Sequence, residues 1–238
     1  MAEPPPQAGM LRPGLRVYAI GDVHGCLDRL VALHYAIAAD LAARPVAETV
    51  LIHLGDYVDR GPDSAGVLWL LGGSVAPPVT RRVDLQGNHE TMMLAALAGG
   101  PSRAADIWLD NGGSATLESY GVAADAGPAA WRAAVPIGHR HWMEQRDLLH
   151  IEGGYLFVHA GIRPDRPLGA QNPEDLLWIR EPFLSDRSRR AHVVVHGHTP
   201  RLEPDIFPNR IGIDTGAVMG GKLTCLVLEG AARDFITA

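Results

Sequence analysis

Apolar positions along the chain change from one spacing to another, and these changes predict the order of the elements. Residues 16–20 and 49–54 are short runs of β-branched and other apolar side chains, which are typical of buried strands. Between them, apolar side chains recur at helical spacing from Leu27 to Leu41, and this helix is predicted to end before Pro45. The first part of the chain therefore indicates strands that alternate with helices.

The rest of the pattern predicts more strands and a helical insertion. Further strands are predicted at residues 83–86, 155–158, 192–195, 211–216 and 223–228, and further helices begin near residues 62 and 88. From about residue 99 to residue 150, helical spacing is interrupted by glycine and proline, which predicts helices packed over the sheet. Because the late strands are joined mainly by loops, we expect an α/β fold of the α+β type, with two packed mixed sheets flanked by helices.

Length and charge limit the partners of this chain. Its 238 residues are enough for one large domain, which we predict at residues 15–238, after a proline-rich, flexible arm at residues 1–14. The start lacks the features of a secretory signal, and no apolar stretch approaches the roughly 18 residues of a membrane-spanning helix. The net charge of −6, without a basic cluster, argues against a nucleic-acid ligand. We therefore expect a cytoplasmic protein with no membrane or nucleic-acid partner.

Five predicted strands end in a glycine-containing loop that carries Asp, Asn or His. Ligand sites of α/β sheets gather at the carboxyl ends of strands, and glycine allows such loops to turn sharply and to approach one another. One such loop is weak evidence, whereas five in this order predict a common site. The residues are Asp22 and His24, Asp56 and Asp59, Asn88 and His89, His159, and His198.

The donor types predict a centre of two metal ions. Two divalent cations would keep a small positive charge after the carboxylates of Asp22 and Asp56 and a bridging hydroxide are counted, because Asn88 and histidine add no charge. Such a site attracts a phosphate dianion rather than a neutral ester. Nitrogen and oxygen ligands suit Mn, Fe or Zn.

The same loops carry a family resemblance. Their order and spacing resemble the signature blocks of the metal-dependent phosphoprotein phosphatases, within the calcineurin-like metallophosphoesterases, and most of all the small bacterial and phage-type serine/threonine phosphatases. The resemblance extends from about residue 17 to residue 229. The blocks are GDVHG at residues 21–25, GDYVDRG at 55–61, GNHE at 87–90, HAG at 159–161 and GHT at 197–199.

The resemblance implies a role for each residue in the set. A hydroxide bridging the two ions, most readily Mn²⁺, would attack the phosphomonoester of a phosphoprotein or phosphopeptide directly. His89 would be the general acid, Asp59 would hold it, and Arg60 would bind phosphate. The second phosphate-binding residue would be Arg180, with Arg163 as the alternative. One ion would be held by Asp22, His24 and Asp56, and the other by Asp56, Asn88, His159 and His198.

A second enzyme class shares these metal-binding blocks. Symmetrical bis(5′-nucleosyl)-tetraphosphatases, which hydrolyse diadenosine tetraphosphate, resemble this chain but usually lack the aspartate that corresponds to Asp59 and have Asp in place of Glu90. The chain therefore favours the phosphatase. A non-catalytic binding module would predict a broken ligand set, and none of the assigned positions is missing. Residues 108–113 either line the substrate groove, as the resemblance suggests, or only pack helices together.

Other polar residues are expected to have structural roles. His196 lies two residues before His198 and is predicted to support the site rather than bind metal. His34 and His53 lie within an apolar helix face and a strand, so both are expected to be hydrogen-bonded in or near the core. Asp214 is expected to be a buried hydrogen-bonding residue. Glu90 is expected to orient a neighbour or cap its helix.

Overall fold

The computed structural model describes residues 7–73, 77–99 and 102–238. In these parts of the chain, the strands are β1 (Leu15–Ile20), β2 (Glu48–His53), β3 (Arg81–Asp84), β4 (Leu149–Glu152), β5 (Tyr155–Val158), β6 (Val193–His196), β7 (Asp205–Ile206), β8 (Arg210–Gly212), β9 (Thr224–Glu229) and β10 (Ala232–Thr237). The helices are α1 (Leu27–Ala43), α2 (Ser64–Gly72), α3 (Asn88–Leu97), α4 (Ser102–Trp108), α5 (Ser114–Ser119), α6 (Pro128–Ala134), α7 (Ile137–Glu144) and α8 (Pro173–Trp178). A π-helical turn, Leu109–Gly113, joins α4 to α5.

The strands form two five-stranded mixed sheets, in the orders β10-β9-β1-β2-β3 and β4-β5-β6-β8-β7. Alternation along β1 shows how they are arranged, because successive side chains of a strand point to opposite faces. Val17 and Ala19 belong to an apolar cluster shared with β5, β6 and β8, between the sheets. Tyr18 and Ile20 belong to a second cluster, shared with α1, α2 and α3. The predicted fold, two packed mixed sheets flanked by helices, is confirmed.

Parallel pairing brings the loops of the predicted site to one edge of each sheet. In the first sheet, Ile20 pairs with His53, and His53 pairs with Asp84, so β1, β2 and β3 end side by side. In the second sheet, β5, β6 and β8 are parallel neighbours in the same way. The polar loops that follow these strands therefore start from neighbouring points.

The helical insertion predicted at about residues 99–150 packs over α2 and α3. Trp108, Leu117, Trp131 and Met143 share one buried apolar cluster with Leu68 and other side chains of those helices. The sequence pattern did not predict β4, β7 and α8, which have two to six residues, or β10, an edge strand in which buried and exposed positions do not alternate.

The boundary predicted for the N-terminal arm needs correction. Gly9 donates its N–H to Gly154 O at 2.9 Å, and Leu11 donates to Gly230 O at 3.0 Å. Leu11 is buried in the cluster between the sheets. Residues 7–14 are therefore packed against the domain, because a buried apolar side chain and several backbone hydrogen bonds hold a segment whose composition suggested flexibility. The rest of the predicted arm, residues 1–6, lies outside the described residues.

None of the helices in the described ranges is long and apolar enough to cross a lipid bilayer.

Candidate active site

The predicted ligands come together where the parallel strands end. Asp22 and His24 follow β1, Asp56 follows β2, and Asn88 begins α3 after β3. His159 follows β5 and His198 follows β6, from the other sheet. All six side chains are buried, and the structure places them in one cluster at the edge where the two sheets meet.

Asp56 belongs to both groups of side chains that could hold an ion. One group is His24, Asp56 and His89, and the other is Asp56, His159 and His198; within each group the candidate ligand atoms lie within 4.8 Å of one another. Asp56 Oδ2 lies 3.4 Å from His24 Nε2, and Asp56 Oδ1 lies 3.3 Å from His159 Nε2. This central position is the one that a carboxylate shared by two ions requires.

Asn88 and Asp22 are both hydrogen-bonded to histidines of the cluster. Asn88 Oδ1 lies 2.8 Å from His159 Nε2 and 3.0 Å from His198 Nδ1. The backbone N–H of His198 donates to both carboxylate oxygens of Asp22, at 3.0 and 3.2 Å. Asp22 thus approaches the cluster through the loop that carries His198.

The cluster fits a cation on its own chemistry. His24 Nδ1 donates to Val58 O at 2.8 Å, and His159 Nδ1 donates to Leu54 O at 2.9 Å, so the Nε2 atoms of both rings face the other ligands. His198 turns its Nδ1 toward Asn88 Oδ1, so a nitrogen of the third ring also faces the other ligands. An ion in the cluster would have imidazole nitrogens and carboxylate and amide oxygens around it.

The charges of the cluster also fit a bound cation. Burial lowers the pKa of both His24 and His198 to about 3, which leaves neutral imidazoles suited to metal binding. Burial raises the pKa of Asp22 well above its usual value, and the negative charge of Asp214 adds to this. Although burial lowers the pKa of His159, the carboxylates of Asp56, Asp22 and Glu90 together outweigh burial and raise this pKa to about 10. A proton on His159 thus balances carboxylates that a divalent cation could neutralise instead.

His89 and Asp59 form a buried pair beside this cluster. His89 Nδ1 donates to Asp59 Oδ2 at 2.7 Å, while His89 Nε2 lies 4.0 Å from Asp56 Oδ2. One ring nitrogen is therefore held by a carboxylate, and the other faces the candidate ligands. The arrangement suits a histidine that gives a proton to a group bound there.

The three candidate phosphate-binding arginines differ in their contacts. Arg60 is exposed, and its Nη1 donates to His24 Nε2 at 2.9 Å, at the edge of the cluster. Arg180 is also exposed and near enough for its charge to help lower the pKa of His198, after burial and His159. Arg163 instead forms a two-bond ion pair with Asp175, at 2.8 and 3.0 Å. Its guanidinium is occupied, so Arg60 and Arg180 suit a phosphate better.

The backbone of these loops is unusual. In the described part of the chain, the non-glycine residues with left-handed backbone are His24, Asp56, Asp59, Arg60 and His198. Each such conformation costs on the order of 1–3 kcal/mol and persists only where its surroundings enforce it. Their concentration in the loops of the predicted site marks the same place as the polar cluster does.

The predicted supporting residues have the expected surroundings. His196 is buried between Gly197 O and Arg210, and His34 bonds to His53 in the core. Asp214 is buried and accepts the N–H of Gly216 at 3.0 Å. Glu90 accepts the N–H of Gly87 at the start of its helix. The structural roles predicted for His34, His53, Asp214 and Glu90 are confirmed, whereas the supporting role of His196 stays a prediction.

Two residues that sequence reasoning did not single out by themselves contact Asp59. Trp108 and Thr116 both donate to its carboxylate. Trp108 lay in a segment for which a role in the substrate groove and a packing role were both left open, and Thr116 carried no signal, because its partner is distant in the chain.

Comparisons with known proteins agree with this geometry. The chain is 32% identical over 213 residues to serine/threonine-protein phosphatase 1 of Salmonella typhimurium, covering 87% of this chain and 89% of the relative. It is 26% identical over 237 residues to the asymmetrical bis(5′-nucleosyl)-tetraphosphatase PrpE of Oceanobacillus iheyensis, covering 88% and 87%. A crystal structure described provisionally as a diadenosine tetraphosphatase superposes with a TM-score of 0.68 at 22% identity, over 99% of both chains. The calcineurin-like phosphoesterase family profile matches residues 15–218, and the chain therefore belongs to this family of metallophosphoesterases.

Proposed function

We propose that this chain is a serine/threonine phosphoprotein phosphatase that uses two divalent ions, most readily Mn²⁺. The observation that carries the proposal is the buried hydrogen bond of 2.7 Å between His89 Nδ1 and Asp59 Oδ2, next to the candidate ligands. This hydrogen bond supports the assignment of His89 as a general acid. Whether the reaction needs a general acid depends on the leaving group of the substrate.

The leaving group connects the acid to a substrate class. A serine or threonine alkoxide is strongly basic, so it departs only if it receives a proton as the bond to phosphorus breaks. A nucleotide phosphate is a weak base and departs without one. A chain that holds a histidine on a buried carboxylate at this point is therefore better suited to a phosphomonoester of serine or threonine than to a dinucleoside polyphosphate.

The other residues have roles that follow from their positions. Asp22, His24, Asp56, Asn88, His159 and His198 would hold the ions. Ions bound there supply Lewis acidity, which activates water and stabilises charge on phosphate. Arg60 and Arg180 would bind the non-bridging oxygens of the phosphate, and each such donor contributes a few kcal/mol when charge develops. His89 would protonate the leaving oxygen, while Asp59 keeps the ring oriented.

The alternative is a bis(5′-nucleosyl)-tetraphosphatase, and a specific observation favours it. Several relatives at 26–29% identity bear that name, and they are asymmetrical enzymes rather than the symmetrical kind weighed from the sequence. The intact Asp59 and Glu90 weigh against the symmetrical kind. The higher identity to the phosphatase of Salmonella typhimurium weighs against the asymmetrical kind.

A direct comparison of substrates tests the proposal. With Mn²⁺ added, kcat/KM is measured on a phosphoserine peptide and on diadenosine tetraphosphate, and we expect the peptide value to be at least about tenfold higher, a difference of about 1.4 kcal/mol in transition-state stabilisation. A higher value on the dinucleotide would refute the proposal, and the products would then identify the mode of cleavage. Two molecules of ADP indicate symmetrical cleavage, whereas ATP with AMP indicates asymmetrical cleavage.

A further inference from the structure

Two side chains of the helical insertion hold the carboxylate of Asp59. Trp108 Nε1 donates to Asp59 Oδ1 and Oδ2, at 2.9 and 3.0 Å. Thr116 Oγ1 donates to Asp59 Oδ1 at 2.7 Å. All three residues are fully buried. Together with His89, these donors occupy both oxygens of a carboxylate that has no access to water.

Thr116 also holds the backbone of the same residue. The N–H of Asp59 donates to Thr116 Oγ1 at 2.8 Å and to Ser64 Oγ at 3.0 Å. A single hydroxyl thus accepts from the main chain of Asp59 and donates to its side chain. This pair of bonds restrains both where Asp59 lies and how its carboxylate is rotated.

Gly112 holds the next residue, Arg60. The N–H of Arg60 donates to Gly112 O at 3.1 Å. Gly112 itself has a φ of 101°, and a Cβ there would lie 2.8 Å from Arg60 Cγ and 3.1 Å from Arg60 N. The position therefore requires glycine both for its backbone and for the close approach of the arginine.

Asp59 and Arg60 need such support. They are consecutive non-glycine residues with left-handed φ values of 73° and 69°. This conformation is disfavoured and persists only where surrounding contacts enforce it. Contacts from residues 108–116 satisfy both backbone N–H groups of this turn and also its buried carboxylate.

We propose that Trp108, Gly112 and Thr116 are positioning residues for the reaction, because this one segment places both the carboxylate that holds the general acid and the arginine that binds phosphate. The inference rests on the proposed function of His89 and Arg60. Burial raises the pKa of Asp59, and the bonds from His89, Thr116 and Trp108 oppose this, in keeping with a role in keeping the carboxylate charged. Residues 108–116 would then act in catalysis without touching substrate.

The decisive variant is Thr116→Val, which keeps the shape of the side chain and removes the hydroxyl. We expect its kcat on a phosphoserine peptide to fall about 10- to 100-fold, the effect of losing a hydrogen bond to a charged group. On p-nitrophenyl phosphate, whose leaving group needs no proton, the loss should stay below about threefold. The content of two metal ions should not change, and Thr116→Ser should restore most of the activity on the peptide.

Ser119→Ala is the matched control. Ser119 lies on the same helix, accepts the N–H of Ala65 at 3.1 Å and donates to the backbone carbonyl of Thr116 at 2.7 Å. Neither bond involves the Thr116 hydroxyl or Asp59, so this variant should keep the wild-type ratio between the two substrates. Equal losses of Thr116→Val on both substrates, no loss on either, or the same pattern in Ser119→Ala would each overturn the inference. If Thr116→Val does not fold, Trp108→Phe is judged by the same criteria.

The role of Gly112 in positioning Arg60 is tested by measuring phosphate binding, without an activity assay. Calorimetry of the metal-loaded protein with inorganic phosphate should show about tenfold weaker binding in Gly112→Ala than in the wild type. Gly121→Ala is the control, because Gly121 also has positive φ, 70°, but a Cβ there meets no atom of the described residues within 4 Å. Equal affinities in the two variants would refute the role of Gly112. This measurement remains decisive if the wild type hydrolyses neither monoester, a result that would refute only the proposed function.

Discussion

The carboxylate of Glu90 accepts the backbone N–H of Tyr57 at 2.7 Å, within the loop that carries Asp56. The same carboxylate accepts the N–H groups of Asp56 at 2.9 Å and Gly87 at 2.8 Å. One buried side chain therefore joins the loop after β2 to the start of α3, and so sets the distance between Asp56 and Asn88.

Replacing Glu90 with Gln should destabilise the fold and weaken metal binding together. The amide has only one acceptor oxygen, and its NH₂ group would face backbone donors in a buried site. We expect a loss of roughly 3 kcal/mol in the free energy of unfolding, measured with urea. Glu118→Gln, at an exposed helical position, should change it by no more than about 0.5 kcal/mol. Equal stabilities of the two variants would contradict this role of Glu90.

Asp56→Asn should lose metal and activity together, because Asp56 is common to both candidate groups. Elemental analysis after gel filtration should find well under one ion per chain, against two in the wild type. Asp28→Asn makes the same change of charge at an exposed position and should keep both ions. A fully active, metal-loaded Asp56→Asn protein would exclude a shared carboxylate.

His89→Asn should separate chemistry from metal binding. Without the general acid, we expect kcat on a phosphoserine peptide to fall about 10²- to 10⁴-fold, and the fall on p-nitrophenyl phosphate to be much smaller. Metal content should remain that of the wild type. His141→Asn, at an exposed position, provides the control. Losses of the same size on both substrates would argue against proton donation by His89.

Gly197→Ala should expel Asp22 from the site. A Cβ on Gly197 would overlap the Asp22 carboxylate, and this side chain has no room to move without leaving the cluster. Elemental analysis should therefore find less bound metal. Gly138→Ala is the control, since within the described ranges a Cβ there would lie more than 4 Å from other atoms, and alanine favours the helix α7. Its free energy of unfolding should be equal to that of the wild type or higher by about 0.5–1 kcal/mol. Full metal content in Gly197→Ala would contradict the assignment of Asp22.

The free energy of unfolding should fall at acidic pH because the folded protein keeps His34 buried and neutral. Burial lowers the pKa of His34 to about 3, and His34 Nε2 lies 3.2 Å from His53 Nε2. In the unfolded chain a histidine has a pKa of about 6.5, so the stability contributed by neutral His34 is complete above that pH and is lost as the pH falls from about 6.5 to about 3.

Urea unfolding at pH 8 and pH 5 measures this effect. His34 alone should account for about 2 kcal/mol of the loss at pH 5. Other buried histidines contribute equally to the wild type and to His34→Gln. Between pH 8 and pH 5, the free energy of unfolding of His34→Gln should therefore fall by about 2 kcal/mol less than that of the wild type. Parallel pH profiles for the two proteins would mean that His34 titrates normally in the folded state.

Much of the candidate site could be predicted because its residues are encoded locally. Each predicted ligand stands in a glycine-containing loop directly after an apolar run, and parallel strands bring such loops to one edge whatever the rest of the chain does. The same patterns predicted α1 and β5, whose residues pack on the core. The edge strand β10 was missed, because its pairing partner β9 rather than its own pattern determines it.

The sequence by itself determined which side chains meet at the strand ends, since hydrophobic spacing sets the strands and the glycine loops carry the ligands. Only the tertiary structure decided what holds those loops in place. The bonds from Thr116 to Asp59 and from Glu90 to Tyr57 join residues far apart in the chain, and they arise from how helices pack over the sheet. Packing also decided the place of Leu11, whose surroundings no local pattern specifies. The loops that carry the ligands therefore could be located from sequence, whereas their strained backbone and the contacts that enforce it could not.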